Sequence, residues 1–156
     1  MSLPAQALQQ IYLFKDLDAD TLAVVAQAAS SRVLDAGQDV CREGQPADGL
    51  YLIRTGSVRV TKDGSDADVV MLGSGSHFGE LGLVDDSPRS ATVTAAERCE
   101  IIKVDAAQLR EALARQPAVA AAFYRAVARS IARRLRVTTD DLSFARQLAL
   151  SQRRSG

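Results

Sequence analysis

The chain has 156 residues, 47% of them apolar and 24% charged, with a formal net charge of zero. That length fits one domain with a real core plus an extra element, and not two full domains. No apolar run approaches a membrane span, and the start, "MSLPAQALQQ", lacks the basic and long apolar regions of a secretory signal.

Residues 1–30 read as helical. Apolar side chains recur at Leu8, Ile11 and Tyr12, then at Leu22, Val25, Ala26 and Ala29, and "LDADTLAVVAQAAS" opens with acids suited to a helix N-terminus. From Ser31 the period changes. Short runs such as "LYLIR", "SVRVT", "DVVML" and "CEIIKV" alternate with Gly-, Asp- and Pro-rich turns. This predicts an antiparallel β-jelly-roll barrel over 31–104. "LYLIRTGSVRV" reads as its clearest hairpin, turning at Thr55–Gly56. Cys41 and Cys99 each sit alone inside a predicted strand, as reduced thiols rather than a disulfide framework, which fits a cytoplasmic protein.

At Asp105 the period returns to helical, with Asp105 as N-cap and Gln108 as its capping-box partner. Pro117 suits the first position of a second helix. From Ala118 to about Gln152 there is no Gly or Pro. The apolar stripe Phe123, Val127, Ile131, Leu135, Thr138, Leu142, Ala145, Ala149 narrows to a coiled-coil seam from Ile131 onward. A long terminal helix with such a seam predicts a homodimer; the alternative is a helix folded back on the barrel. The fold class expected is therefore mixed α and β, one domain with helices over 1–30, the barrel over 31–104 and helices over 105–156.

Charge is unevenly spread. Residues 1–109 hold nine Lys/Arg and sixteen Asp/Glu, whereas 110–156 hold ten Arg and three acids. A solvated Arg-rich helix explains this, and so does attraction to an anionic partner. No Walker loop, zinc spacing or nucleophile elbow is present. The one histidine, His77, excludes a multi-histidine metal site and reads as a turn residue.

The segment "HFGELGLVDDSPRSATV" carries the chemistry. Gly79 permits an unusual backbone angle and close approach of a ligand. "ELGLV" is long enough for one or two helical turns, whose free N–H groups would face an anion. Arg89 offers a planar fork suited to phosphate, and Ser90 adds a hydroxyl. Glu80 would repel that phosphate, so it needs a hydroxyl donor nearby, for which a ribose 2′-OH is the obvious choice. Phosphate and free ribose hydroxyl side by side describe a cyclic nucleotide.

"FGELGLVDDSPRSATV" resembles the phosphate-binding cassette of cyclic nucleotide-binding domains, here over 78–92. "G…REGQPADGLYLIRTGSVRV", with Gly37, Gly44 and Gly56, resembles the same family's barrel, as does "LFKDL". The resemblance covers nearly the whole chain. It implies that Glu80 takes the ribose 2′-OH and Arg89 the exocyclic phosphate oxygens, with Ser90 and the backbone of Gly79 and Leu81 completing the cradle. "ARRLRVTTDDL" further resembles the dimerisation helix of bacterial catabolite activator proteins, which implies Arg134, Thr138 and Thr139 beside the base. The chain is about one helical turn longer between Arg89 and the Thr pair. Such an insertion shifts the pair about 6 Å along the axis and would bring Arg134 or Ser130 to the base. After Leu142 only fourteen residues remain, too few for a helix-turn-helix domain.

Together these features predict a non-catalytic cytoplasmic sensor for cAMP in preference to cGMP, with no cofactor, no metal and no membrane partner. It would be homodimeric and would signal through its last helix to a separate effector. A DNA-associated regulator, or a fragment of one, is the alternative, and a salt-sensitive gel shift would mark it. An enzyme on a similar barrel is disfavoured, because no base, metal set or nucleophile surrounds Arg89.

Overall fold

The computed structural model describes residues 3–154, with only the backbone described at 65–68 and 154. The chain begins with α1 (Ala5–Gln9), a 3₁₀ turn (Tyr12–Phe14) and α2 (Ala19–Gln27). Asp18 caps α2, its carboxylate accepting from the Thr21 N–H at 2.7 Å. Leu8, Ile11, Leu22, Val25 and Ala26 are buried as their spacing predicts, but Tyr12 is 68% exposed. The helical period breaks into the 3₁₀ turn at that residue, which takes its ring off the apolar face.

The strands are β1 (Ala29–Leu34), β2 (Asp39–Cys41), β3 (Gly49–Thr55), β4 (Ser57–Lys62), β5 (Ser65–Gly73), β6 (His77–Phe78), β7 (Thr92–Ala95) and β8 (Cys99–Asp105). They form two four-stranded antiparallel sheets, ordered β1-β8-β3-β6 and β2-β7-β4-β5. The expected closed barrel is therefore corrected: no ladder joins the two sheets among the described residues. They enclose a shared core instead, with Leu34, Ile53, Phe78 and Ile101 from one sheet against Val40, Val58, Val93 and Ala95 from the other.

The predicted hairpin at Thr55–Gly56 is also corrected. β3 pairs with β6 and β8, whereas β4 pairs with β5 and β7. The chain changes sheets at Gly56, where φ is +82° and a Cβ would lie 2.7 Å from Cys99 Cβ. A strand that leaves for the opposite sheet keeps the same period of two as one that folds back on itself, so alternation could not separate the cases.

β3 is buried on both faces. Tyr51 and Ile53 enter the inter-sheet core, while Leu50 and Leu52 enter a second core with α1, α2, α4 (Ala106–Ala114) and α5 (Pro117–Arg154). Asp105 caps α4, accepting from the Gln108 N–H at 3.0 Å. Its own N–H donates to Ala28 O at 2.9 Å, so only one half of the expected capping box forms.

Pro117 is the first residue of α5. Phe123 and Val127 are fully buried in the helical core and Ile131 packs at its edge. Leu135 and Leu142 are 65% and 57% exposed. The predicted stripe thus serves two purposes in succession, first docking the helix on its own domain and then presenting a free seam. No helix among the described residues is long and apolar enough to cross a membrane.

Candidate functional site

Between β6 and β7 the chain forms α3 (Glu80–Asp85), and beside it opens a cavity of about 430 Å³. One side is apolar, with Val60, Val70, Leu72 and Val93 from the second sheet. The polar side holds Gly79, Glu80, Leu81, Arg89, Ser90 and Arg134. Six of the eight predicted site residues therefore line one cavity. Thr138 and Thr139 do not: both lie on α5 beyond its lining, exposed, with the Thr139 hydroxyl donating to Leu135 O at 2.8 Å.

Arg89 is 7% exposed, and the sheet layer holds it. Its Nη2 donates to Asp48 Oδ1 at 2.9 Å and to Gly49 O at 2.7 Å. Its Cζ lies 5.0 Å from the Tyr51 ring centroid, and Tyr51 stacks on Phe78 at 5.2 Å. Asp48 gathers three donors, from Arg89, Lys103 at 2.6 Å and the Tyr51 hydroxyl at 3.1 Å. Partial burial alone would raise the Asp48 carboxyl, but hydrogen bonds from Lys103, Arg89 and Tyr51 outweigh it and bring the pKa down to about 2. Burial, then the Asp48 charge, pushes the Tyr51 phenol up to about 12.

The guanidinium is not saturated by these partners. Among the described residues its Nε is buried with no hydrogen-bond partner, and an orphaned donor of that kind is costly. Gly79 explains how the fork fits. Its φ is +89°, and a Cβ there would lie 2.4 Å from Arg89 Nη1. Any larger residue would be strained in backbone and would displace the arginine.

Glu80, at the start of α3, is 2% exposed and does not pair with Arg89. A buried carboxylate needs a countercharge, and α5 supplies it: Arg134 Nη1 donates to Glu80 Oε1. Arg134 Nη2 donates to His77 O at 2.8 Å. His77 is corrected from a turn residue to a buried member of β6, its Nε2 3.0 Å from the Ser130 hydroxyl and 3.9 Å from Glu80. Burial, reinforced by the Arg134 cation, lowers the imidazole pKa to about 4. The Glu80 charge is already committed to Arg134 and does not offset this.

Sequence reasoning missed Asp48, Tyr51 and Lys103, which hold Arg89, and the role of His77. Asp48 and Tyr51 flank Gly49 and sit about forty residues from Arg89. Backbone bonds of Arg89 to Gly44 and Gln45 bring Arg89 there, and the β3–β8 pairing sets Lys103 beside Tyr51. Arg134, one of the predicted residues, lies on the cavity wall.

A fixed guanidinium with a spare donor suits an oxyanion, a buried carboxylate beside it suits a hydroxyl, and the apolar wall suits a flat ring.

Comparison with known proteins points the same way. Residues 31–116 match the profile of the cyclic nucleotide-binding domain. Over 134 residues, 85% of this chain, it is 33% identical to a putative potassium channel protein of Rhodopseudomonas palustris, of which it covers 32%. It is 36% identical over 94 residues, 60% of the chain, to 25% of a cAMP-dependent protein kinase regulatory subunit from Yarrowia lipolytica. The chain thus spans a third or less of these curated relatives. Among solved structures, the Thermus thermophilus catabolite activator protein superposes with a TM-score of 0.68 at 27% identity, over 85% of this chain and 62% of that one.

Proposed function

The chain belongs to the cyclic nucleotide-binding domain family, and on that premise we propose that its cavity is a sensor site for cAMP. One observation carries the reading: Arg89, with an unpartnered buried Nε, and Glu80, a buried carboxylate, line one cavity whose facing wall from the second sheet is apolar. The exocyclic phosphate would take Arg89, Ser90 and the backbone of Gly79 and Leu81. The ribose 2′-OH would donate to Glu80, and the base would lie against the apolar wall within reach of Arg134.

The site would bind its ligand unchanged, with no cofactor or metal. Signalling would come from differential affinity. Glu80 is tied to α5 through Arg134, so a sugar hydroxyl arriving at Glu80 competes for an acceptor that now holds the helix. Helix positions that bind nucleotide better are enriched by it. The seam from Leu135 onward would join two copies, placing Thr138 and Thr139 at the two-fold axis and carrying the signal to a separate effector in the cytoplasm.

Calorimetric titration with cAMP and cGMP tests the reading. Micromolar or tighter cAMP binding, with cGMP weaker, is expected. A folded protein that takes up neither nucleotide defeats it.

A further inference from the structure

A second cavity, about 230 Å³, lies on the opposite side of β6 from the first, between the 3₁₀ turn, the start of α2 and the docked part of α5. Arg125, Arg129 and Arg133 line it. These residues follow at four-residue steps, so they stack along one helix face, an arrangement in which like charges repel. Of the tail's other described arginines, Arg110 pairs with Asp86, Arg115 with Glu111 and Arg134 with Glu80, whereas Arg136, Arg146 and Arg153, on the free part of α5, have no ion pair or hydrogen bond. The three in this cavity have no ion pair or hydrogen bond among the described residues.

The rest of the lining explains what could relieve them. Ser130 and the buried His77 share a hydrogen bond in the same cavity. The opposite wall carries Asp16 and Asp18, and Asp18 is engaged in capping Thr21. Neither acid lies within ion-pair distance of the arginines. One wall therefore offers guanidinium donors and the other offers carboxylate acceptors.

We propose that this cavity is a second binding site, for a small phosphate ester that also carries a hydroxyl or amino group. The phosphate meets Arg125, Arg129 and Arg133, each capable of charge-assisted donation. The hydroxyl or amino group donates to Asp16. A neutral His77 leaves the charge balance to these residues. Three of the tail's ten arginines then form one wall of a local pocket. The proposal does not depend on the nucleotide reading of the first cavity, because the two share no arginine.

Glycerol 3-phosphate is a suitable probe, followed by backbone amide chemical shifts of the full chain. Saturable shifts at residues 16–18 and 129–133 are expected in the parent protein and in Arg89→Ala. The double variant Arg125→Gln/Arg129→Gln, whose side chains are exposed, should keep the parent's amide spectrum and bind at least about tenfold more weakly. Absence of saturable shifts in the parent overturns the proposal. So does survival of the shifts in the double variant, or their loss in Arg89→Ala, which would assign the ester to the first cavity. Equal shifts from sodium sulfate also overturn it, since they would reflect any dianion near three arginines.

Discussion

The two charged ends of the 78–92 segment are held in different ways. Arg89 is fixed by its own sheet layer, through Asp48, Gly49 O and the Tyr51 ring. Glu80, equally buried, is fixed by Arg134 on α5, whose side chain remains 49% exposed. A charge held within a sheet is a constant of the fold. A charge held by a docked helix depends on where that helix sits. On the proposed function, the contrast would separate recognition, at Arg89, from coupling, at Glu80.

The largest effect should fall at the rigid end. Arg89→Ala should weaken cAMP by at least about 2 kcal/mol, or roughly thirtyfold, because the phosphate loses a charged fork in a partly dry site. Calorimetry checks this, and unchanged affinity would remove Arg89 from phosphate recognition. At the other end, a 2′-deoxy analogue of cAMP should bind the parent about 1.5 kcal/mol more weakly, the low end for a hydrogen bond to a charged acceptor. Glu80→Gln should discriminate less between the two nucleotides. Equal parent affinity for both would take Glu80 out of the site.

The helix-dependent end should also show in acid. His77 has its pKa lowered from 6.5 to about 4 in the folded protein, so the unfolded chain binds the extra proton between those values. Its contribution to stability is complete above pH 6.5 and is lost as pH falls toward 4, by up to about 1.4 kcal/mol per pH unit. His77→Gln should flatten that fall relative to the parent when urea midpoints are compared across the window. Parallel profiles would mean that His77 is free to charge in place.

Thr138→Val gives the smallest expected effect. If Thr138 reaches the base, cAMP weakens by about 1 kcal/mol while the dimer persists and cGMP changes less. If the hydroxyl only sets register in the seam, dimer stability rises and cAMP is unchanged. Sedimentation and paired titrations separate the two, and a monomeric parent at tens of micromolar would defeat both.

The same contrast decides what could be read in the sequence. Glu80, Arg89 and Gly79 were legible because one short segment carries them all, with a loop, a helical turn and a strand each marked by local residue types. The N-cap Asp105, the acids that open α2 and the start of α5 at Pro117 were legible for the same reason. The partners of Arg89 were not, since Asp48 meets it where Gly44 and Gln45 bond the Arg89 backbone, and Lys103 meets Asp48 through the β3–β8 pairing, both at long range. Sheet exchange at Gly56 was hidden because period-two alternation is blind to which sheet a strand joins. The stripe on α5 was read as a coiled-coil seam from Ile131 onward, whereas Ile131 packs on the domain and the exposed part begins at Leu135. Its division into a docked part ending at Ile131 and a free part from Leu135 depends on where the domain surface ends, which no local pattern records.

A crystal structure of the protein with cAMP tests the central assignment most directly. The account predicts the nucleotide in the 430 Å³ cavity, a phosphate oxygen accepting from Arg89 Nε, and the ribose 2′-OH donating to Glu80. A nucleotide bound elsewhere, or one whose phosphate leaves Arg89 Nε unpartnered, would contradict it.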